Sequence, residues 1–226
     1  MSRFSNRVAV VTGAGSGMGQ LHAVELAREG AKVVVHDVNA NGVAETAALI
    51  GEVAGEECVQ WIGDIAAVAS VGSEIDRLAA TLGHIDILIN NAGFVSAGQT
   101  HDIDEEAFDR MYAVHVKGTF FATQAVTRHM INGEGGAIVN IASTAGLVGH
   151  HHFPHYCAAK SAIVGLTKSW AKEFSKHRIR VNAVAPGGVK TPLSIGEFGG
   201  EENLAKRAVE IPLGFYGGPE DITPLV

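Results

Sequence analysis

Apolar positions along this 226-residue chain alternate between two patterns. Short, nearly continuous apolar runs, largely β-branched and bounded by Gly, Asp or Asn, occur at Val8–Thr12, Lys32–Asp37, Cys58–Ile62, Asp86–Asn90, Ala137–Ala142 and Ile179–Ala185. Continuous rather than alternating apolarity predicts strands buried on both faces. Longer stretches between them predict helices over Met18–Glu29, Val43–Val53, Val68–Leu82, Glu105–Met130 and Tyr156–His177. Strand-helix alternation of this kind implies an α/β fold, a doubly wound parallel sheet with helices on both faces in three layers. No linker or repeat divides residues 1–226, so one domain is expected, with the irregular segment 192–216 placed as a substrate lid. Gly218-Pro219-Glu220-Asp221 reads as a helix start, and Ile222, Leu225 and Val226 begin an apolar stripe that goes no further. This leads to the expectation of a truncated chain that lacks its final strand.

Composition narrows the function. Apolar residues make up 46% and charged residues 18%, an ordinary globular balance with enough chain for a well-buried core. The formal net charge of −7 argues against a partner such as nucleic acid. No apolar run approaches the ~20 residues needed to span a bilayer, so no membrane partner is expected. Two cysteines, Cys58 and Cys157, make no disulfide framework. The N-terminus runs into a strand without a signal-like apolar region, so a cytoplasmic location is expected.

The first strand ends at Thr12-Gly13-Ala14-Gly15-Ser16-Gly17-Met18-Gly19, directly before a helix. Glycines let backbone approach a pyrophosphate, which would sit at the helix N-terminus against free N–H groups. A TGxxxGxG turn between a first strand and a first helix marks a Rossmann-like dinucleotide site. The second strand ends at Asp37, eighteen residues after Gly19. A carboxylate there can accept hydrogen bonds from the adenosine ribose and would repel a 2′-phosphate, which favours NAD over NADP. The plainer alternative is that Asp37 caps the following turn.

A second constellation carries proton chemistry. Ser143 precedes Tyr156 by thirteen residues, and Tyr156 precedes Lys160 by four, which puts the last two on one helix face. Tyrosine titrates near pH 10, and lowering that to neutrality requires roughly 4 kcal/mol of phenolate stabilisation. A neighbouring ammonium is suited to supply much of it.

Taken with Asp64, Asn90-Asn91-Ala92-Gly93 and Pro186-Gly187…Thr191, these motifs make nearly the whole chain resemble the short-chain dehydrogenase/reductase (SDR) family. The resemblance implies a hydride transfer with Tyr156 as general acid/base, Ser143 bonding the substrate oxygen and Lys160 holding the nicotinamide ribose. It also implies cofactor contacts from Gly13, Ser16, Gly17, Met18, Gly19, Asp37, Asp64, Ile65, Asn91, Ala92, Gly93, Pro186, Gly187, Val189 and Thr191. Phe94, Val95, Leu147, His151 and Phe153 are the expected substrate-pocket residues. A homodimer or homotetramer is implied through the helices at 105–130 and 156–177. One departure stands out: His115 occupies a position where the family carries an Asn in a proton relay. An imidazole there either joins the relay and titrates near neutral pH or is a packed residue.

His150-His151-His152-Phe153-Pro154-His155 invites a metal reading, but consecutive residues rarely converge on one ion. A solvated loop is expected, with a polar or anionic-substrate pocket as the functional alternative; no metal is expected. Cys157 lies at a helix start, which can activate a thiol, although a packing role is expected. The leading reading is an NAD-dependent oxidoreductase acting on a secondary alcohol or ketone. Its rivals are an NADPH-dependent 3-oxoacyl-thioester reductase and a non-catalytic NAD(H) sensor.

Overall fold

A computed structural model describes residues 2–226. Six strands, β1 (Val8–Thr12), β2 (Lys32–Asp37), β3 (Val59–Ile62), β4 (Ile87–Asn90), β5 (Gly136–Ile141) and β6 (Ile179–Val184), pair in parallel in the order β3-β2-β1-β4-β5-β6. The order reverses between β1 and β4, and at such a switch point the carboxyl ends of the strands leave a crevice for a ligand.

Side chains alternate across the pleat and so define two cores. Val8 and Val10 point with Leu88 and Ile138 toward α3 (Val68–Leu82), α5 (Thr119–Asn132) and α7 (Pro154–Phe174), where Ile75, Leu78, Val126 and Trp170 pack. Ala9 and Val11 face the other way, against Ala23, Val24, Val43 and Ile50 of α1 (Gly17–Arg28) and α2 (Ala40–Ala54). The three-layer α/β/α expectation holds.

Three expectations need correction. β1 and β4 are buried on both faces, but β6 buries Ile179 and Val181 while Arg180, Asn182 and Ala183 are exposed. No helix among the described residues covers that side of the edge strand. The helix expected over Glu105–Met130 is two helices, α4 (Glu105–Tyr112) and α5, joined by a π-helical turn at Ala113–Gly118. Beyond Gly218 the chain forms two 3₁₀ turns, Pro219–Asp221 and Thr223–Leu225, rather than the start of an α-helix. The Gly218 N–H donates to Asp221 at 2.8 Å, and Thr223 lies 2.9 Å from the buried His22 Nδ1, which ties these turns to α1. No helix is long and apolar enough to cross a membrane among the described residues.

Candidate active site

The glycine turn is held by side chains from two strand ends. Thr12 Oγ1 accepts from the N–H groups of Asn91 and Ala92 at 3.0 and 3.1 Å, and Asn91 Nδ2 donates to the Thr12 and Gly13 carbonyls at 3.1 and 2.9 Å. This packing admits no side chain at Gly13, whose φ is +66° and whose Cβ would lie 2.6 Å from Ala92 Cα. At Gly19 a Cβ would strike the Gly13 carbonyl oxygen. The N-cap Ser16 makes no side-chain hydrogen bond to α1, so the first-turn N–H groups stay open to a ligand. An uncapped 12-residue helix behind a tight glycine turn fits a pyrophosphate.

Asp37 lies at the end of β2 and already serves the backbone. Its Oδ2 accepts from Gly15 N and its Oδ1 from Asn39 N, both at 2.9 Å. The turn-capping role is therefore present, and each oxygen keeps a lone pair for a hydroxyl donor. Asp64 accepts from Ala66 N at 2.9 Å and from Arg110 at 2.8 Å. Between β2 and β3, His36 packs against Trp61 at 4.2 Å with both ring nitrogens unpartnered, and burial lowers its pKa to about 4.

At the other end, Ser143 follows β5. Its Oγ accepts from Ala145 N at 3.1 Å, which fixes the rotamer and leaves the hydroxyl proton free to donate. Tyr156 and Lys160 lie on α7, which Pro154 starts at its first helical position. Lys160 is buried, its Nζ donates to the Ile141 carbonyl at 2.6 Å, and burial lowers its pKa to about 8. Burial also raises the Tyr156 pKa above 10, opposed by the nearby Ser143 hydroxyl. The expected depression by Lys160 is not met. Its ammonium is tied to Ile141 and stands 5.7 Å from the phenol ring centroid, so desolvation wins.

His115 sits in the π-helical turn, a deviation frequent at functional sites. Its Nε2 lies 2.8 Å from the Phe94 carbonyl oxygen and 3.1 Å from the Phe94 nitrogen, and its ring stands edge-on to Tyr156 at 5.5 Å. Nδ1 is buried without a partner. A side chain at Gly93 would strike the imidazole. Burial first, and the Lys160 charge second, hold the His115 pKa well below 6.5. Its burial and the direction of this shift favour the packed-residue expectation over titration near neutral pH.

All the expected cofactor residues, from the glycine turn through Asp37, Asp64, Ile65, Asn91–Gly93 and Pro186–Thr191, line one cavity of about 840 Å³ together with His115, Ser143, Tyr156 and Lys160. That volume lies in the range of about 300–1,000 Å³ typical of small-molecule sites. Phe94, Val95 and Phe153 line it too, but Leu147 and His151 do not. Leu147 is turned to solvent by the short α6 (Ala145–Val148), and His151 is exposed, stacked on His150 at 4.8 Å. His150 takes the inward place. Sequence reading missed Arg110 at one end, and Phe198, Ile211 and Tyr216 of the segment after β6 at the other. That segment carries α8 (Pro192–Glu197) and α9 (Glu201–Arg207). Burial raises the Cys157 pKa, so no activated thiol lies beside Tyr156. Among the described residues no three His, Cys, Asp or Glu side chains converge as metal ligands.

The model of the short chain dehydrogenase family matches residues 7–201, and the chain belongs to that family. It is 39% identical to 2-(S)-hydroxypropyl-CoM dehydrogenase 3 of Xanthobacter autotrophicus, over 100% of this chain and 89% of that protein. It is 35% identical to a 3-oxoacyl-(acyl-carrier-protein) reductase of Thermotoga maritima, over 99% and 90% of the two chains. Carveol dehydrogenase from Mycobacterium avium in complex with NAD superposes with a TM-score of 0.94 at 28% identity, covering 100% of this chain and 91% of that one. The protein is thus an oxidoreductase of the short-chain dehydrogenase family with a Rossmann-like fold.

Proposed function

We propose that the protein is an NAD-dependent oxidoreductase that interconverts a secondary alcohol and its ketone. The observation that carries this reading is a single cavity with an open helix N-terminus and Asp37 at one end and Ser143, Tyr156 and Lys160 at the other. Hydride chemistry is supplied by the nicotinamide when it is bound. Tyr156, a neutral phenol in this setting, donates the proton to a ketone oxygen during reduction and receives it during oxidation. Ser143, braced by Ala145 N, donates a hydrogen bond to the same oxygen. Lys160 keeps two N–H donors beyond its bond to Ile141, suited to ribose hydroxyls.

Asp37 decides the choice of dinucleotide. Like charges about 4 Å apart repel by about 4 kcal/mol at an effective dielectric constant of 20. Val38 beside it is exposed, and Arg110, the one cation lining that end, is taken by Asp64. Likeness to the Thermotoga maritima reductase favours a second reading, reduction of an acyl thioester with NADPH. A sensor without turnover would have no use for the complete Ser143, Tyr156 and Lys160 set. Exposed Phe108 and Phe120, on α4 and α5, fit pairing of subunits through those helices and α7. Cys58 and Cys157 are unpaired, in keeping with a cytoplasmic location. Fluorescence titration is expected to give at least about tenfold tighter binding of NADH than of NADPH, a ratio that Asp37→Ser reduces. Tighter NADPH binding would favour the thioester reductase instead.

A further inference from the structure

Three aromatic side chains from three separate segments converge around Tyr156. Phe94 follows β4, Phe153 precedes α7, and Phe198 closes α8. Phe153 stands edge-on to Tyr156 at 6.4 Å and to Phe198 at 6.1 Å, while Phe94 meets His115, and through it Tyr156, at 5.5 Å for each step. Phe153 and His115 are the rings against the reacting phenol, and Phe94, Phe198, Ile211 and Tyr216 line the same cavity. Such spacing suits edge-on contact with a further ring.

The charged groups near this end are occupied by the protein itself. Glu197 accepts from Ala97 N at 2.7 Å, joining α8 to the loop after β4. Glu210 faces Arg207 at 3.6 Å, and the Arg207 guanidinium lies 4.6 Å over the Phe198 ring. His150 Nδ1 accepts from the His152 N–H at 3.2 Å, and burial keeps its pKa below 6.5, so it offers no fixed positive charge. Two carboxylates against one guanidinium disfavour an anionic substrate. An open-chain polyol would need several hydrogen-bonding partners, and Phe94, Phe153, Phe198 and Ile211 give this part of the wall no polar side-chain atoms.

Building on the proposed alcohol dehydrogenase activity, we infer that the substrate is an uncharged secondary alcohol whose carbinol carbon belongs to, or adjoins, a ring seated between Phe94, Phe153 and Phe198. The anionic-substrate alternative for the histidine run is set aside on this charge balance, while His150 remains a polar group in the wall.

The test compares kcat/KM, with NAD⁺, for cyclohexanol, isopropanol, sorbitol and 3-hydroxybutyryl-CoA in the wild type, Phe198→Ala and Phe198→Leu. Cyclohexanol is expected to exceed sorbitol and the thioester by at least about tenfold. Phe198→Ala should reduce the cyclohexanol-to-isopropanol ratio about tenfold, the scale of a lost ring contact and its buried area, and Phe198→Leu should reduce it less. Preference for sorbitol or the thioester, or an unchanged ratio in both variants, would overturn the inference. NADH titration of each protein reports folding separately, and if Phe198→Ala fails to bind, Phe198→Leu still carries the ratio. Wild-type protein that binds NADH yet oxidises none of the four would sink the proposed function, and this inference with it.

Discussion

At the dinucleotide end of the cavity the working groups are largely main-chain atoms, whereas at the substrate end they are side chains drawn from distant segments. Open N–H groups of α1, the glycine turn and the Asn91-Ala92 backbone shape the first region. Phe94, Phe153, Phe198 and Tyr216 shape the second. Backbone sites demand particular residues nearby in sequence, because a Cβ at Gly13 would strike Ala92 and one at Gly19 the Gly13 carbonyl. Side-chain walls demand only apolar bulk, and many sequences meet that demand.

The contrast extends to buried histidines, and there it can be broken. His36, beside the dinucleotide end, and His22, on α1, are buried, with pKa values lowered by burial from 6.5 to about 4. Between those pH values the unfolded chain binds more protons than the folded one. Stability is therefore full above about pH 6.5 and falls as pH drops toward 4, by up to about 3 kcal/mol for each residue. Urea unfolding at several pH values checks this, and His36→Phe, which keeps a ring against Trp61, should make the decline shallower. An equal slope in the variant would remove His36 from the account.

A smaller effect is expected at the substrate end. His115 presents one nitrogen to both the N–H and the carbonyl of Phe94, and a single Nε2 can satisfy only one of them. An asparagine amide offers a donor and an acceptor separately. His115→Asn should therefore retain or raise turnover, within about fivefold, and leave the pH profile between 6 and 8 unchanged, since a net gain of one hydrogen bond is about 1 kcal/mol. Steady-state rates across that range provide the check. A large loss in a folded variant would show that the imidazole has a role of its own.

The same difference explains what could be read from the chain. The parallel sheet and its two helical layers follow from apolar periodicity, and the grouping of Ser143, Tyr156 and Lys160 at one cavity from motif spacing and the family resemblance. β6 departs from the expected burial because an edge strand depends on what covers it, which no local pattern encodes. The π-helical turn at Ala113–Gly118 has no residue signature, so the segment read as one helix. Leu147 and His151 were expected in the pocket and lie outside, because a single short helix, α6, sets which residues of that loop face inward. Phe198 and Tyr216 lie in the segment 192–216 expected as a lid, but no local pattern singled out either side chain. Their part in the wall depends on how the segment after β6 folds back over Tyr156.

The central claim is that Tyr156 moves the proton during hydride transfer, and the most direct measurement compares wild type with Tyr156→Phe. Each would be mixed with NAD⁺ and cyclohexanol while NADH formation is followed, with NADH affinity measured in parallel. The account predicts a loss of about 10²–10⁴-fold in turnover in the variant, with dinucleotide binding retained. Turnover within a few-fold of wild type would contradict it and assign the proton to another group.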